Sequence, residues 1–167
     1  MKKVIAIGGS SGIIALLWTI GSFYLGLSTV AGFLAWSSFF AAGGGRNGIK
    51  KALIANLSGI CWGFITLQLS DLLSLRYENT AAIALGNGIG SAGICLQSKI
   101  SLVSFIPASF IGWSAFIASG MNFKITILSM ISGSLLGYAS EKLTNVLLRS
   151  TLVRNDKIEK MEMDKAI

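Results

Sequence analysis

The stretch AGFLAWSSFFAAG, over residues 31–43, returns in altered form as ASFIGWSAFIASG over residues 108–120. The two stretches align without a gap at an offset of 77 positions and share seven of their thirteen residues, including a tryptophan. Two weaker matches follow in the same order along the chain, because residues 9–13 resemble 90–94 and residues 57–63 resemble 131–137. An internal repeat of this kind predicts the architecture before any short motif does.

Long stretches without charge surround the repeated segment. Residues 5–45, 52–70 and 79–98 contain no Lys, Arg, Asp or Glu, and only 13% of the whole chain is charged while 53% is hydrophobic. A soluble domain carries about 25% charged residues and could not cover such stretches with a polar surface. The composition therefore predicts an integral membrane protein whose solvent is the lipid bilayer.

The apolar runs predict an all-α membrane fold with about six transmembrane helices. These runs cover residues 4–24, 27–43, 52–69, 80–97, 102–119 and 125–148. Residues 1–148 then form a membrane domain, with one repeat over about 4–72 and the other over about 78–148. Since each repeat crosses three times, the second copy enters from the opposite side, which predicts two inverted three-helix repeats. Residues 149–167 mix acidic and basic side chains and are predicted to form a cytoplasmic tail.

The basic residues predict the orientation of the chain. If all six segments cross and the N-terminus is cytoplasmic, twelve of the fourteen Lys and Arg residues lie on the cytoplasmic side. Only Arg76 and Lys124 lie on the other side. Such an imbalance is typical of cytoplasmic loops and predicts that both termini are cytoplasmic.

Small residues at four-residue spacing predict close helix packing. Glycines separated by three residues recur in both repeats, and small residues at this spacing let helix backbones approach one another in membranes. The equivalent pairs in the third and sixth segments are the main helix-packing candidates, namely Gly59 and Gly63 with Gly133 and Gly137. The abundance of such pairs in a small protein also predicts a homo-oligomer.

Aromatic and hydroxyl residues on one face of the repeated segment are the candidate pore-lining or substrate residues. Aromatic rings can set the width of a constriction, and hydroxyls can replace part of a solute's water. An amide in a membrane helix usually faces the protein interior. The candidates are Phe33, Trp36, Ser37, Phe110, Trp113 and Ser114, together with the amides Asn56 and Asn87. The alternative is a packing or lipid-facing stripe in which the serines bond to their own helices.

Several classes of function are not expected. No titratable residue lies near the centre of a segment, which argues against an ion-coupled pump. The chain has no His, so we expect neither an enzyme nor a metal site, and no cofactor. Cys61 and Cys95 lie in apolar runs without CxxC spacing, which is typical of buried packing cysteines. The basic residues flank apolar runs, so we expect no nucleic-acid partner.

The sequence also resembles a known family. Residues 26–45, 59–62 and 104–112 are similar to the YcdZ-like family of small bacterial inner-membrane proteins. The resemblance extends over about residues 5–145 and implies a multi-pass location in the bacterial inner membrane. That family has no established function, so the resemblance implies no catalytic or binding residue.

Together these patterns favour a passive channel or facilitator for a small polar or neutral solute. The repeat plan is common among transporters, although a fold alone does not determine a function. The alternative is a non-transporting membrane subunit or scaffold that binds a partner protein.

Overall fold

A computed structural model of the protein describes the backbone of residues 2–165 and the side chains of residues 3–150. Over this range the chain forms six α-helices and one short 3-10 helix, and no strand. The 3-10 helix is Ser101–Val103. The α-helices are α1 (Lys2–Leu25), α2 (Thr29–Ala41), α3 (Gly45–Leu73), α4 (Asn79–Gln97), α5 (Ile106–Ala118) and α6 (Phe123–Lys165). The predicted all-α fold is confirmed, and each of the six apolar runs corresponds to one α-helix.

The helices differ more in length than the sequence predicts. α2 and α5 have thirteen residues each, or about 20 Å at 1.5 Å per residue, against a hydrocarbon core of about 30 Å. Among the described residues, α1 and α3 are long and apolar enough to cross a membrane. α6 continues without a break from the sixth apolar run into the predicted tail. The side chains of residues 151–167 lie outside the described range.

The two short helices end in the same way. The amide of Gly43 donates to the carbonyl of Phe40 at 3.0 Å, and the amide of Gly120 donates to the carbonyl of Ile117 at 3.0 Å. Both glycines have positive φ, which is the usual left-handed end of an α-helix. Met121, directly after Gly120, also has a positive φ of 60°, although it carries a side chain. Glycine therefore ends both copies of the repeated segment at equivalent positions.

The closest helix pairs join the first half of the chain to the second. α2 packs mainly on α6, and α5 packs mainly on α3. The Cα of Gly59 faces the backbone carbonyl of Ser109, and the Cα of Gly133 faces the backbone carbonyl of Gly32. The two contacts are equivalent in the repeat, because Gly32 and Ser109 are 77 positions apart and Gly59 and Gly133 are 74 positions apart. The short helix of each half, α2 or α5, thus packs on a long helix of the other half, α6 or α3.

A second pair of glycine contacts lies one turn further along. Gly63 lies against the ring of Trp113, and Gly137 lies against the ring of Trp36. The absence of a Cβ at both glycines leaves room for an indole between the helices. The tryptophans that mark the repeat are therefore placed by the glycines that recur with them.

The centre of the fold is largely apolar and tightly closed. α2, α3, α5 and α6 enclose it, while α1 packs on α6 and α4 packs on α3 at the periphery. The fully buried cluster at the centre consists of Ala31, Ala35, Ile60, Ala115, Phe116 and Met130. Alanines dominate on the short helices because the backbones approach closely there.

The outer surface is also apolar, which is the property expected in lipid. Large aliphatic and aromatic side chains are exposed along every α-helix of the described range. On α1, Val4 is 72% exposed and Phe23 is 77% exposed. A soluble protein rarely shows apolar patches on such a scale. The exterior thus agrees with the membrane location that the composition predicts.

Candidate functional site

One cleft among the described residues lies where α5 ends. This α5 cleft has a volume of about 450 Å³ and lies between the C-terminal part of α3, the N-terminal part of α4 and the end of α5. Trp113, Phe116 and Ile117 form its apolar side. Its polar side is lined by Thr66, Ser70, Asp71, Asn79 and Asn87. The cleft therefore offers hydrogen-bonding groups opposite an aromatic wall.

A second cleft of similar size lies where α2 ends. This α2 cleft has a volume of about 460 Å³ and lies between the N-terminal part of α1, the end of α2 and the C-terminal part of α6. Its lining includes Lys3, Phe40, Gly44, Glu141 and Asn145. Gly44 adjoins the first residue of α3, whereas the α5 cleft reaches Asp71 near the last. The two clefts thus lie at opposite ends of α3.

The two clefts use equivalent positions of the repeat. Phe40 in the α2 cleft corresponds to Ile117 in the α5 cleft at the offset of 77. Thr144 corresponds to Ser70 at the offset of 74, and both line their clefts. The correspondence includes hydroxyl as well as apolar residues.

Hydroxyls also lie where each peripheral helix packs on the core. Ser10 on α1 and Thr144 on α6 share a hydrogen bond of 2.6 Å. At the equivalent contact, the hydroxyls of Thr66 and Ser70 on α3 lie against Gly90 and Gly86 of α4. Because the glycines offer no hydroxyl in return, the Thr66 Oγ1 is buried without a protein partner. Thr66 thus lines the α5 cleft, while its hydroxyl oxygen is buried against Gly90.

Polar groups also occur in the closed centre between the clefts. Ser38 on α2 donates to the Oδ1 of Asn56 on α3 at 2.9 Å, and both residues are fully buried. The Nδ2 of Asn56 has no protein partner, nor do the buried Nε1 of Trp36 and Oγ of Ser134. Buried polar atoms without a partner are uncommon and often mark water or ligand positions.

We expect the loss of Ser38 to destabilise the fold more than the loss of Asn56, although the two residues share one hydrogen bond. Ser38→Ala leaves both ends of the Asn56 amide unpaired and should destabilise the fold by about 1–3 kcal/mol. Asn56→Leu removes the amide at similar volume, and Ser38 can then bond to its own helix. Thermal unfolding in detergent should therefore show a smaller decrease in the midpoint for Asn56→Leu than for Ser38→Ala. Adding Ser38→Ala to the Asn56→Leu variant should not lower the midpoint further. A Ser38→Ala variant as stable as the wild type would contradict this account.

Glu141 serves a structural purpose at the α2 cleft. Its Oε2 accepts a hydrogen bond of 2.7 Å from the amide of Gly45, the first residue of α3. A carboxylate at this position satisfies a free amide and interacts favourably with the helix dipole. The charge of Glu141 is thus directed at the start of α3.

The predicted site residues are distributed over three environments. Trp113 and Asn87 lie together in the α5 cleft. Asn56 and Trp36 are buried, Asn56 in the closed centre and Trp36 against Gly137. The remaining four lie on the outward faces of α2 and α5 in the single chain, namely Phe33, Ser37, Phe110 and Ser114. The rings stack in equivalent pairs, Phe33 on Trp36 and Phe110 on Trp113.

Several polar residues at the site are absent from the sequence-based prediction. Thr66 and Ser70 follow the four-residue spacing of Gly86 and Gly90, and this matched spacing is the signal that could have revealed them. Gln97, at the end of α4, lies outside both clefts but is another polar residue that the sequence-based prediction omits. Its Oε1 accepts from Ser58 at 2.6 Å and from Trp62 at 2.8 Å, and its Nε2 donates to Ser109 at 2.9 Å.

No cluster of potential metal ligands occurs in the part of the chain that the structure describes. Cys61 and Cys95 are exposed on the outer surface rather than buried, which corrects their interpretation as buried packing residues. They lie on helices whose outward faces are apolar, so lipid is their natural surrounding.

The fold and its exterior define an all-helical integral membrane protein with two related clefts. Comparison with known proteins then assigns the family. The chain belongs to the family described as "Protein of unknown function (DUF1097)", whose model matches residues 10–145. No solved structure matches the chain significantly.

Curated relatives cover most of the chain. It is 36% identical over 149 residues to the uncharacterized protein YahC of Escherichia coli, covering 84% of this chain and 90% of the relative. It is 31% identical over 140 residues to the inner membrane protein YcdZ of Salmonella typhimurium, covering 83% and 86%. YcdZ of Escherichia coli is also 31% identical, with 83% and 84% covered. The resemblance to the YcdZ-like family is confirmed, and these relatives support a location in the bacterial inner membrane.

Proposed function

We propose that the protein is a passive channel or facilitator for a small polar or neutral solute. The observation that carries this proposal is the pair of equivalent clefts at opposite ends of α3. A cleft of about 450 Å³ is of the size that takes a small molecule. A solute entering one cleft leaves by the other after the closed centre opens.

The proposal includes an inverted repeat with both termini in the cytoplasm. Support comes from the reciprocal contacts of Gly59 with Ser109 and of Gly133 with Gly32, and from the shared ends of α2 and α5. With three helices in each half, such a symmetry axis lies in the membrane plane. The α2 cleft then faces the cytoplasm and the α5 cleft faces the opposite side, in agreement with the distribution of basic residues.

Transport through this path would be passive and would involve no catalytic step. The described centre between the clefts contains the amide of Asn56 and the hydroxyl of Ser38 but no titratable side chain. Ion-coupled carriers place such a side chain in the membrane. Amide and hydroxyl groups, by contrast, can exchange hydrogen bonds with a neutral solute without separating charge.

A flux assay tests this function directly. Purified protein in liposomes should speed the equilibration of small neutral solutes, followed by light scattering after an osmotic step with urea, glycerol and small amides. Asn87→Trp places a large ring in the α5 cleft and should lower the flux by about ten-fold or more. Ile89→Trp is the matched control, because Ile89 is exposed on the same helix and does not line the cleft. Equal flux in these two variants would contradict a path through the α5 cleft.

The proposed homo-oligomer uses the outward face of α1. Gly8 and Gly12 on this helix have no neighbouring heavy atom within 4 Å of an added Cβ, unlike Gly86 and Gly90 on α4. A small-residue stripe open to lipid suits close packing with a second helix. In the alternative function, a non-transporting subunit or scaffold, the charged tail of residues 149–167 would contact the partner protein, and the side chains of residues 151–167 lie outside the described range. Absence of flux for the whole solute panel would favour that alternative.

A further inference from the structure

A small, open groove at the start of α3 has the chemistry of an anion site beside hydrocarbon. This groove, called the lysine groove below, has a volume of about 170 Å³. It lies between the first turns of α3 and the 3-10 helix that precedes α5. Its lining consists of Asn47, Lys50, Lys51, Ile54, Ser101 and Leu102. Two ammonium groups, an amide and a hydroxyl thus adjoin two aliphatic side chains.

The charge of the groove is unbalanced. None of its lining residues is acidic, so the two lysines give it a net positive charge. The Nζ of Lys51 lies 4.8 Å from the centre of the Phe105 ring, a cation–π contact that holds the ammonium at the groove. The groove has no negative charge of its own, so an anion would be attracted to it. A phosphate group there would accept hydrogen bonds from Lys50, Lys51 and Ser101.

The position of the groove along α3 indicates the source of that phosphate. Lys50 and Lys51 are the last charged residues of α3 before Asp71, so the apolar part of the helix begins immediately after them. Ile54 and Leu102 lie on the apolar side of the groove, and Leu102 is 57% exposed. A lipid phosphate in the headgroup layer would meet the lysines while its acyl chain continues along these aliphatic residues.

We propose that the lysine groove binds one anionic phospholipid through its phosphate group. The volume accommodates a phosphate and its glycerol linkage, and the acyl chains lie outside against α3 and the 3-10 helix. A free phosphate ion would use only the polar half of this lining. The proposal is independent of solute transport, since the groove shares no lining residue with either cleft.

The repeat supplies a control for general surface charge. At the offset of 74, Lys50 corresponds to Lys124 at the start of α6, and Lys51 corresponds to Ile125. Lys124 is exposed like Lys50 but has no second lysine beside it. A specific site should therefore depend on Lys50 and Lys51 and not on Lys124.

Lipid titration of the full-length protein in a neutral detergent tests the proposal, with bound lipid counted by native mass spectrometry. We expect phosphatidylglycerol to bind about ten-fold more tightly than phosphatidylcholine. Each lysine near the surface contributes about five-fold in affinity, so the double variant K50Q/K51Q should lose about 25-fold. K124Q should change the affinity less than about two-fold. Equal losses in K50Q/K51Q and K124Q, or equal binding of the two lipids, would overturn the proposal.

Two further measurements complete the test. Ser101→Glu adds a carboxylate to the groove without removing a lysine, and it should abolish the preference for phosphatidylglycerol even if K50Q/K51Q fails to fold. Inorganic phosphate at millimolar concentration, compared with chloride at equal ionic strength, should leave the lipid bound. Displacement by inorganic phosphate would instead identify a site for the free ion and overturn the assignment to lipid.

Discussion

Gly59→Ala is expected to be among the most destabilising single substitutions in the chain. The added methyl group would overlap the backbone carbonyl of Ser109 on α5. Gly112 on α5 lies equally close to the backbone carbonyl of Asn56 on α3, so the two helices have no free space between them. Backbone atoms cannot rotate aside as a side chain can, so α3 and α5 must separate. Overpacking of a core costs about 1–3 kcal/mol and occasionally more. We expect a loss at or above the upper end of this range.

The measurement is thermal unfolding of the purified protein in detergent, followed by tryptophan fluorescence and far-ultraviolet circular dichroism. For a chain of this size, about 3 kcal/mol corresponds to a decrease of roughly 10 °C in the midpoint. Gly133→Ala should behave in the same way, because its methyl group would overlap the backbone of Gly32. Gly88→Ala is the matched control, since nothing lies within 4 Å of an added Cβ there. Alanine favours a helix by up to about 1 kcal/mol over glycine, so Gly88→Ala should be neutral or stabilising.

The pattern of glycines made part of this packing predictable from sequence. Glycines separated by three residues predict close helix contacts in membranes, and Gly59 and Gly133 make such contacts. The partners of these glycines could not be predicted. α2 packs on α6 rather than mainly on α3, its neighbour in sequence, and pairing between distant segments leaves no local pattern.

The inward face of each helix was also hidden in the sequence. In a soluble protein one face of a helix is polar, and the apolar stripe identifies the core. Here both the core and the lipid are apolar, so Trp36 and Ser37 look equally suited to either side. The structure buries Trp36 beside Gly137 and exposes Ser37. The assignment of Ser37 and Ser114 to a pore lining therefore stays a prediction, because the single chain does not show what covers them.

The clefts depend on features that a search for motifs overlooks. Each cleft forms where a thirteen-residue helix ends, and the ends are determined by Gly43 and Gly120. The polar lining comes from separate helices, for example Thr66 on α3 and Asn87 on α4. Sequence analysis selected Asn87 as an amide in an apolar run, but a lone threonine in a membrane helix carries too weak a signal.

The starts of α3 and α6 are expected to lie on opposite sides of the membrane. Single cysteines at Arg46 and Lys124, in a background with Cys61 and Cys95 replaced by alanine, should react with a membrane-impermeant thiol reagent from opposite sides. In intact spheroplasts only Lys124→Cys should be labelled, and in inside-out vesicles only Arg46→Cys. Both positions are exposed, so an accessible cysteine will not be protected by the fold.

We expect each cysteine to be labelled almost exclusively from one side, because the basic residues determine the orientation of the chain. Lys50 and Lys51 stand near Arg46, whereas Lys124 has no basic neighbour on its side except Arg76. Labelling of both cysteines from one side would mean that an even number of crossings separates them. The two halves would then have the same orientation, and the α2 and α5 clefts could not be the two ends of one path. Detergent-permeabilised cells, in which both cysteines should react, control for reactivity.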